Sequence, residues 1–272
     1  MTTALAIFGY NRPDHLRKCL DAVSRNKPID TVIFLDGGFT DEVLEIADSF
    51  YPTWVEERYT HLGCAKSIYS GIDIVLNVYD SIIVVEDDII IADNFIEYML
   101  NGLEFYKDKK DIGSLTGYAM VENKEVYSAK RFTGWGWATW KDRWKKFNRN
   151  IEPLDSWGDD FPVMLDNALK YKIDTWDAQF GAYHFMNNLK CICPPKSLTK
   201  NIGFDKSGVH CKKSNKFKTE LHNIDYEFKY PVEIDEDIRK QFCKINNLSL
   251  TRKFINFLKT LRYFNTLNNK QK

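Results

Sequence analysis

The stretch Ile82-Ile83-Val84-Val85-Glu86-Asp87-Asp88 constrains the fold more than any other, because an unbroken β-branched run ends abruptly in three acids. A run without alternation is buried on both faces, which is the situation of a strand inside a parallel sheet covered by helices. Its acidic end must then emerge at the carboxyl edge, where open α/β sheets bind their ligands. Clustered carboxylates at such an edge can hold a divalent metal through hard oxygens, and the metal can hold a diphosphate. The same acids could instead cap the following helix, a role that Asp93 before Asn94-Phe95-Ile96 also suits.

The flanking sequence repeats the strand-then-helix pattern. Ala4-Leu5-Ala6-Ile7-Phe8 reads as a first buried strand, turned by Gly9-Tyr10-Asn11-Arg12-Pro13 into a helix with Leu16, Cys19, Leu20 and Val23 on one face. A helix N-terminus beside Arg12 favours an anion. The turn has neither the G-x-G-x-x-G of a dinucleotide fold nor a P-loop pattern. Thr31 to Leu35 is a second strand ending at Asp36-Gly37-Gly38, where Asp36 could accept from a base or ribose or simply form the turn. Thr53 to Tyr59 reads as an edge strand. The helix after His61-Leu62-Gly63 carries Lys66 in its first turn, an unfavourable place for a cation unless an anion is near. A helix from Asn94 to Tyr106 and a strand from Ile112 follow, which makes the succession a doubly wound α/β sheet.

Composition limits the function classes. The 272 residues suit one large core or one domain with an appendage, and 38 basic against 38 acidic residues leave no overall nucleic-acid footprint. Six scattered cysteines and the lack of a signal peptide or a long apolar span suggest a reducing cytoplasm. The C-x-C of Cys191 and Cys193 is weak evidence for zinc.

The texture changes at Arg131-Phe132-Thr133-Gly134-Trp135-Gly136-Trp137-Ala138-Thr139-Trp140, which follows neither helical nor strand period and reads as a rigid aromatic loop. Such rings either hold sugars and bases or form a compact core. Further on, Asp174 and Asp177 fall at or near the start of a helix, where either suits an N-cap or capping box. Asn201 to Cys211 is a glycine-bearing loop, rich in donors, with the composition of a lid.

Taken in order, Asn11-Arg12-Pro13, Asp36, Val85-Glu86-Asp87-Asp88, Gly134-Trp135-Gly136-Trp137, Trp176-Asp177 and Gly203 to His210 resemble the landmarks of bacterial polysaccharide-synthesis glycosyltransferases of the GT-A fold. They are also similar to those of the N-acetylglucosaminyltransferase I family. The resemblance implies a GT-A type, mainly parallel sheet flanked by helices. It implies a metal-dependent inverting transfer of a sugar from a nucleoside-diphosphate sugar, a UDP-sugar foremost, to a saccharide or lipid-linked saccharide acceptor. Mn2+ or Mg2+ would sit on Asp88, with His210 as a second contact. Glu86 and Asp87 would touch the metal's waters or the ribose, Arg12 the diphosphate and Asp36 the base. Phe8, Tyr10, Asn11, Lys66, Trp135, Gly136, Trp137, Lys206 and His210 would complete the donor surface. Asp177 matches the catalytic base, a role that the bacterial members give to the Asp174 position. Ala65 stands where the eukaryotic family has a histidine, which leaves the base of the donor open.

Two other readings compete. A sugar-phosphate nucleotidyltransferase shares the sheet and the metal carboxylates but normally has a basic glycine-rich loop after its first strand, unlike Phe8-Gly9-Tyr10-Asn11-Arg12. An inactive carbohydrate-binding scaffold would not need Asp88 and Asp177 together. The expected organisation is a catalytic domain over 1–212, a connection over 213–237 and a basic amphipathic helical tail over 238–272. The tail has no acid, and it aligns Phe254, Phe257, Leu258, Leu261 and Phe264 on one face. That pattern fits either an interfacial helix on a membrane surface or a helix packed on the domain.

Overall fold

The computed structural model describes residues 1–151, 176–205, 219–230 and 232–245. The apolar runs form β1 (Thr3–Gly9), β2 (Thr31–Leu35) and β4 (Ser81–Glu86), with β3 (Trp54–Glu57) at one edge. These four strands are parallel and stand in the order β3-β2-β1-β4. The side chains alternate between two cores with the two-residue period of a strand. Leu5, Ile7, Ile33, Leu35, Ile83 and Val85 pack against α1 (Pro13–Ser24), α2 (Asp41–Ser49) and α4 (Phe95–Tyr106). Ala4, Ala6, Phe8, Val32, Phe34, Ile82 and Val84 face α3 (Cys64–Val78), α5 (Lys141–Trp144) and α6 (Trp176–Met186). The sheet is thus covered on both sides, as the unbroken apolar runs require.

Beyond β4 the sheet becomes mixed. The next strand is β8 (Trp137–Trp140), antiparallel both to β4 and to β6 (Ile112–Thr116), and then come β9 (Lys190–Cys193) and β7 (Tyr127–Ala129). Trp137 to Trp140 is therefore a central strand and not part of a loop. It was hidden because Trp, Ala and Thr fill both faces of a fully buried strand without alternating, and all four of its residues are buried. A two-stranded ribbon, β5 (Ile89–Ile91) with β10 (Thr199–Asn201), starts directly after the acidic triplet.

The expected connection and tail are tied to the domain where they are described. Residues 219–230 run along α4: Asn94 donates to the Ile224 carbonyl at 2.7 Å, Tyr106 to the Lys229 carbonyl at 2.9 Å, and Tyr98 packs edge-on against Tyr226. The first part of the tail is α7 (Glu236–Ile245), whose Ile238 and Phe242 are buried with Val121, Tyr127 and Ala129 beside β7. The aromatic face from Phe254 to Phe264 lies outside the described residues. No described helix is long and apolar enough to cross a membrane.

Candidate active site

β1 and β4 are neighbours, with Phe8 in register with Glu86. The chain leaves β1 toward β2 on one side and returns from β3 to β4 on the other. This is the switch point of a doubly wound sheet, where the loops diverge and leave a crevice at the carboxyl edge. The turn 10–12 and the acids 86–88 meet there. The Asp87 N–H donates to the Phe8 carbonyl at 2.9 Å, which carries the register one residue past the strand. Glu86 continues the alternation toward the α3 and α6 side.

Arg12, at the N-cap of α1, reaches across to the acids. Its Nε donates to Asp87 Oδ2 at 3.2 Å, its Nη1 to Asp88 Oδ2 at 3.0 Å, and its Nη2 pairs with Asp87 Oδ1. Burial favours loss of the guanidinium proton, and the charges of Asp87 and Asp88 more than reverse that, so the proton is held more tightly than usual. Burial pushes Asp87 up to about 6 against the pull of Arg12. Glu86 is pushed up to about 8, first by burial and then by the charges of Asp88, Asp177 and Asp87. The site therefore carries more negative charge than Arg12 offsets.

Asp177, in the first turn of α6, belongs to this cluster through its field at Glu86 and at Arg131. Arg131, whose Nη1 donates to Met120 Sδ at 3.2 Å, lies within reach of the Asp177 charge, and the sequence did not single it out, since an arginine opening an aromatic stretch has no pattern of its own. Burial lowers the proton affinity of its guanidinium, and Asp177 acts in the opposite sense.

Asp36 lies beside the switch point, buried, and its carboxylate gathers a loop. It accepts the N–H groups of Gly37 at 3.1 Å, Leu62 at 2.9 Å and Gly63 at 3.0 Å, and pairs with His61 Nδ1 at 2.9 Å. Tyr10, exposed, packs on His61 with ring centroids 4.7 Å apart and planes tilted by 32°, so an aromatic shelf stands next to a carboxylate. His61 was also missed. Its sequence signal is its place just before the helix α3. Asn11 and Lys66 are exposed at this rim.

Two predicted donor residues are buried instead. Phe8 stacks on Phe34 at 4.9 Å within the core, and Trp137 has no exposed surface. Each follows from strand parity, which turns that side chain toward the helices. Trp135 remains partly exposed, packed against Tyr118 at 4.6 Å and Phe204 at 5.6 Å. Gly136 sits at φ +68°, and a Cβ there would be 2.7 Å from Thr199 Cγ2. This close packing gives the glycine a structural reason.

The start of the expected lid closes over the acids. Ile202 N–H donates to the Asp88 carbonyl at 2.9 Å, and a Cβ on Gly203 would lie 2.2 Å from Asp88 Oδ2. Asp205 pairs with His15 of α1 at 3.3 Å. Lys206, His210 and Asp174 lie outside the described residues.

The residues suit a divalent cation in donor type. Asp88 offers hard oxygens, and Glu86, raised first by burial and then by the charges of Asp88, Asp177 and Asp87, stands where a cation would offset part of that negative charge. Among the described residues no group of three or more His, Cys, Asp or Glu could hold an ion by itself. One or two carboxylates with the donor's phosphates is the usual arrangement for Mg2+.

Comparison with known proteins identifies the family and the fold. The family described as Glycosyl transferase family 2 matches residues 5–164. No curated protein matches. Among solved structures, S. aureus TarS is similar over 73% of this chain and 36% of its own, with 15% identity and a TM-score of 0.50, a likeness of fold. S. aureus TarS 1-349 in complex with UDP shares 14% identity over 73% of this chain and 60% of its own, with a TM-score of 0.49. The chain therefore spans 36% to 60% of the length of these structures. The mainly parallel sheet is that of the GT-A fold, and with more than half of its residues matched, the chain belongs to glycosyl transferase family 2.

Proposed function

We propose that this chain transfers a sugar from a nucleoside-diphosphate sugar to a hydroxyl of a saccharide acceptor, with inversion and with a divalent metal. The observation that carries the reading is the meeting of Arg12 with Asp87 and Asp88 at the switch point, and it is supported by the influence of the Asp177 charge on Glu86. The aromatic shelf of Tyr10 and His61 receives a base by stacking, with Asp36 and the loop it gathers beside it. Arg12, already spanning two carboxylates, is long and planar enough to share its fork with a diphosphate. Asp88 is the carboxylate that would hold Mn2+ or Mg2+ together with the donor phosphates. When bound, that ion supplies charge stabilisation to the departing diphosphate. Arg12 adds to it at the same place.

Asp177 stands on the α6 side, apart from the Arg12 pairs, and is the carboxylate that removes the proton from the acceptor hydroxyl as it attacks the sugar. A single base opposite a leaving diphosphate gives inversion. Glu86, in register with Phe8 at the end of β4, would face the donor's ribose or the waters of the ion. Lipid-linked saccharides and a membrane-surface location for the tail belong to the same reading. Their support is the basic sequence beyond Asp237.

A panel of nucleotide-sugars, headed by UDP-sugars and assayed with and without Mn2+ or Mg2+, tests the reading. Metal-dependent release of free nucleoside diphosphate supports it. Pyrophosphate released from a nucleoside triphosphate would instead identify a nucleotidyltransferase.

A further inference from the structure

The tryptophan-rich stretch is the most conspicuous feature of the sequence, and most of it never reaches the donor cleft. Trp137 is wholly buried, and its indole N–H has no hydrogen-bond partner among the described residues, an unfavourable situation for a buried donor. What the large ring gains is its face against Trp176, with centroids 5.2 Å apart and planes 22° from parallel. Phe132 meets both rings edge-on, at 5.0 Å from Trp137 and 5.5 Å from Trp176. The backbone at Gly134 lies against the benzo edge of Trp176, where a Cβ would be 2.7 Å from Cζ2 and 2.8 Å from Cη2. From α3, the Tyr69 hydroxyl donates to the Trp176 carbonyl at 3.4 Å. Trp176 is therefore gripped on its face, its edges and its backbone, and the next residue is Asp177. Trp137 itself is in register with Val84, two residues before Glu86 on the strand that carries the acids.

We propose that Gly134, Trp137 and Trp176 are positioning residues that fix Asp177 at a set distance from the acidic end of β4. The proposal rests on the reading of Asp177 as the base. The stretch then acts as a spacer between two halves of a reaction centre, while Trp135 packs on Phe204 at the start of the lid. Close packing transmits such a constraint, since a buried aromatic cluster shifts as a unit or not at all.

The test uses the full chain and separates kcat from binding. Gly134→Ala should lower kcat about 10²-fold, the scale of a misplacement near 1 Å, while KM for the donor and the calorimetric affinity for the nucleoside diphosphate stay unchanged. The double variant Gly134→Ala with Trp176→Phe should recover most of that loss, because phenylalanine lacks the Cζ2 and Cη2 atoms that the new methyl meets. Phe147→Leu is the control. It removes a ring packed on Trp144 and Phe180 in the same cluster and should lower thermal stability with kcat preserved. Normal kcat in Gly134→Ala, with Asp177→Asn inactive, overturns the proposal and leaves the base standing. Loss of kcat in Phe147→Leu to the same degree also overturns it, since the cluster would then be merely structural. If Gly134→Ala does not fold, Trp137→Phe carries the same comparison, with a fall in kcat expected and unchanged kcat decisive against. Full activity in Asp177→Asn removes the base reading itself, and the proposal with it.

Discussion

The two sides of the cleft are held in different ways. On the β1 side, Arg12 bridges Asp87 and Asp88, and Asp36 gathers the loop at His61 through polar contacts to Leu62 N–H and His61 Nδ1. On the α6 side, Asp177 follows a tryptophan locked among Trp137, Phe132 and Gly134. Ionic partners can be exchanged for a ligand's oxygens at little cost, because one charged contact replaces another. A packed ring has no such alternative. The β1 side is thus suited to taking up and releasing a charged donor, and the α6 side to keeping one group still while chemistry proceeds.

Four experiments break or sharpen that contrast. The largest effect is expected from Asp177→Asn, which should reduce transfer about 10²–10⁴-fold and leave nucleotide affinity intact. A parallel loss of affinity, read by calorimetry, would mean that the two sides are not separable. Asp88→Asn should act on the other side, abolishing the metal-dependent part of nucleotide binding while circular dichroism stays native. If Mn2+ or Mg2+ enhances binding to that variant as much as to the parent chain, the charge-held side is not organised around Asp88. Gly203→Ala comes next. Its methyl must displace the Asp88 carboxylate or the backbone of the lid, an overpacking worth about 1–3 kcal/mol, seen as nucleotide binding weaker by about tenfold. Unaltered binding would show that the lid withdraws from Asp88 when the donor enters.

The smallest effect concerns stability alone. His184 is buried between the Ser114 hydroxyl at 2.9 Å and the Phe180 carbonyl at 3.0 Å, and burial pushes its imidazole down from 6.5 to about 4. The folded state resists a proton that the unfolded chain accepts below pH 6.5. Its stabilising contribution is complete above that pH and is lost as the pH falls through 4. His184→Gln should lower the melting temperature at pH 7 and flatten its decline between pH 6.5 and 4. An equally steep decline in the variant would assign the acid sensitivity to other groups.

The charge-held side was the legible one. Buried parallel strands advertise themselves as apolar runs, and an acid or arginine at the end of such a run has nowhere to go but the edge. Arg12, Asp36 and the triplet 86–88 were therefore placed by simple pattern. The packed side was not legible, because Trp-Ala-Thr-Trp does not alternate, and the three-residue strands β5, β7 and β10 are too short to show any period. Sequence could count the aromatic rings but not say which of them stack on each other, so Trp137 was read as part of the donor surface although it is buried against Trp176. Arg131 was overlooked because its importance comes from a neighbour on a different element. The strap over α4 carried no signal apart from its aromatics, whose partners lie far back in the chain.

The strand order also has a consequence for synthesis. β4 finds β1 already made, but its other neighbour, β8, leaves the ribosome only after α4, β6 and β7. At about 5–20 residues per second, the apolar edge of the acid-bearing strand stays bare for roughly 3–10 s in each nascent chain. A bare edge of this kind is a template for pairing with another polypeptide. The long separation of β4 from β8 in the chain therefore opens a window in which neighbouring chains on one polysome can associate before the sheet is complete.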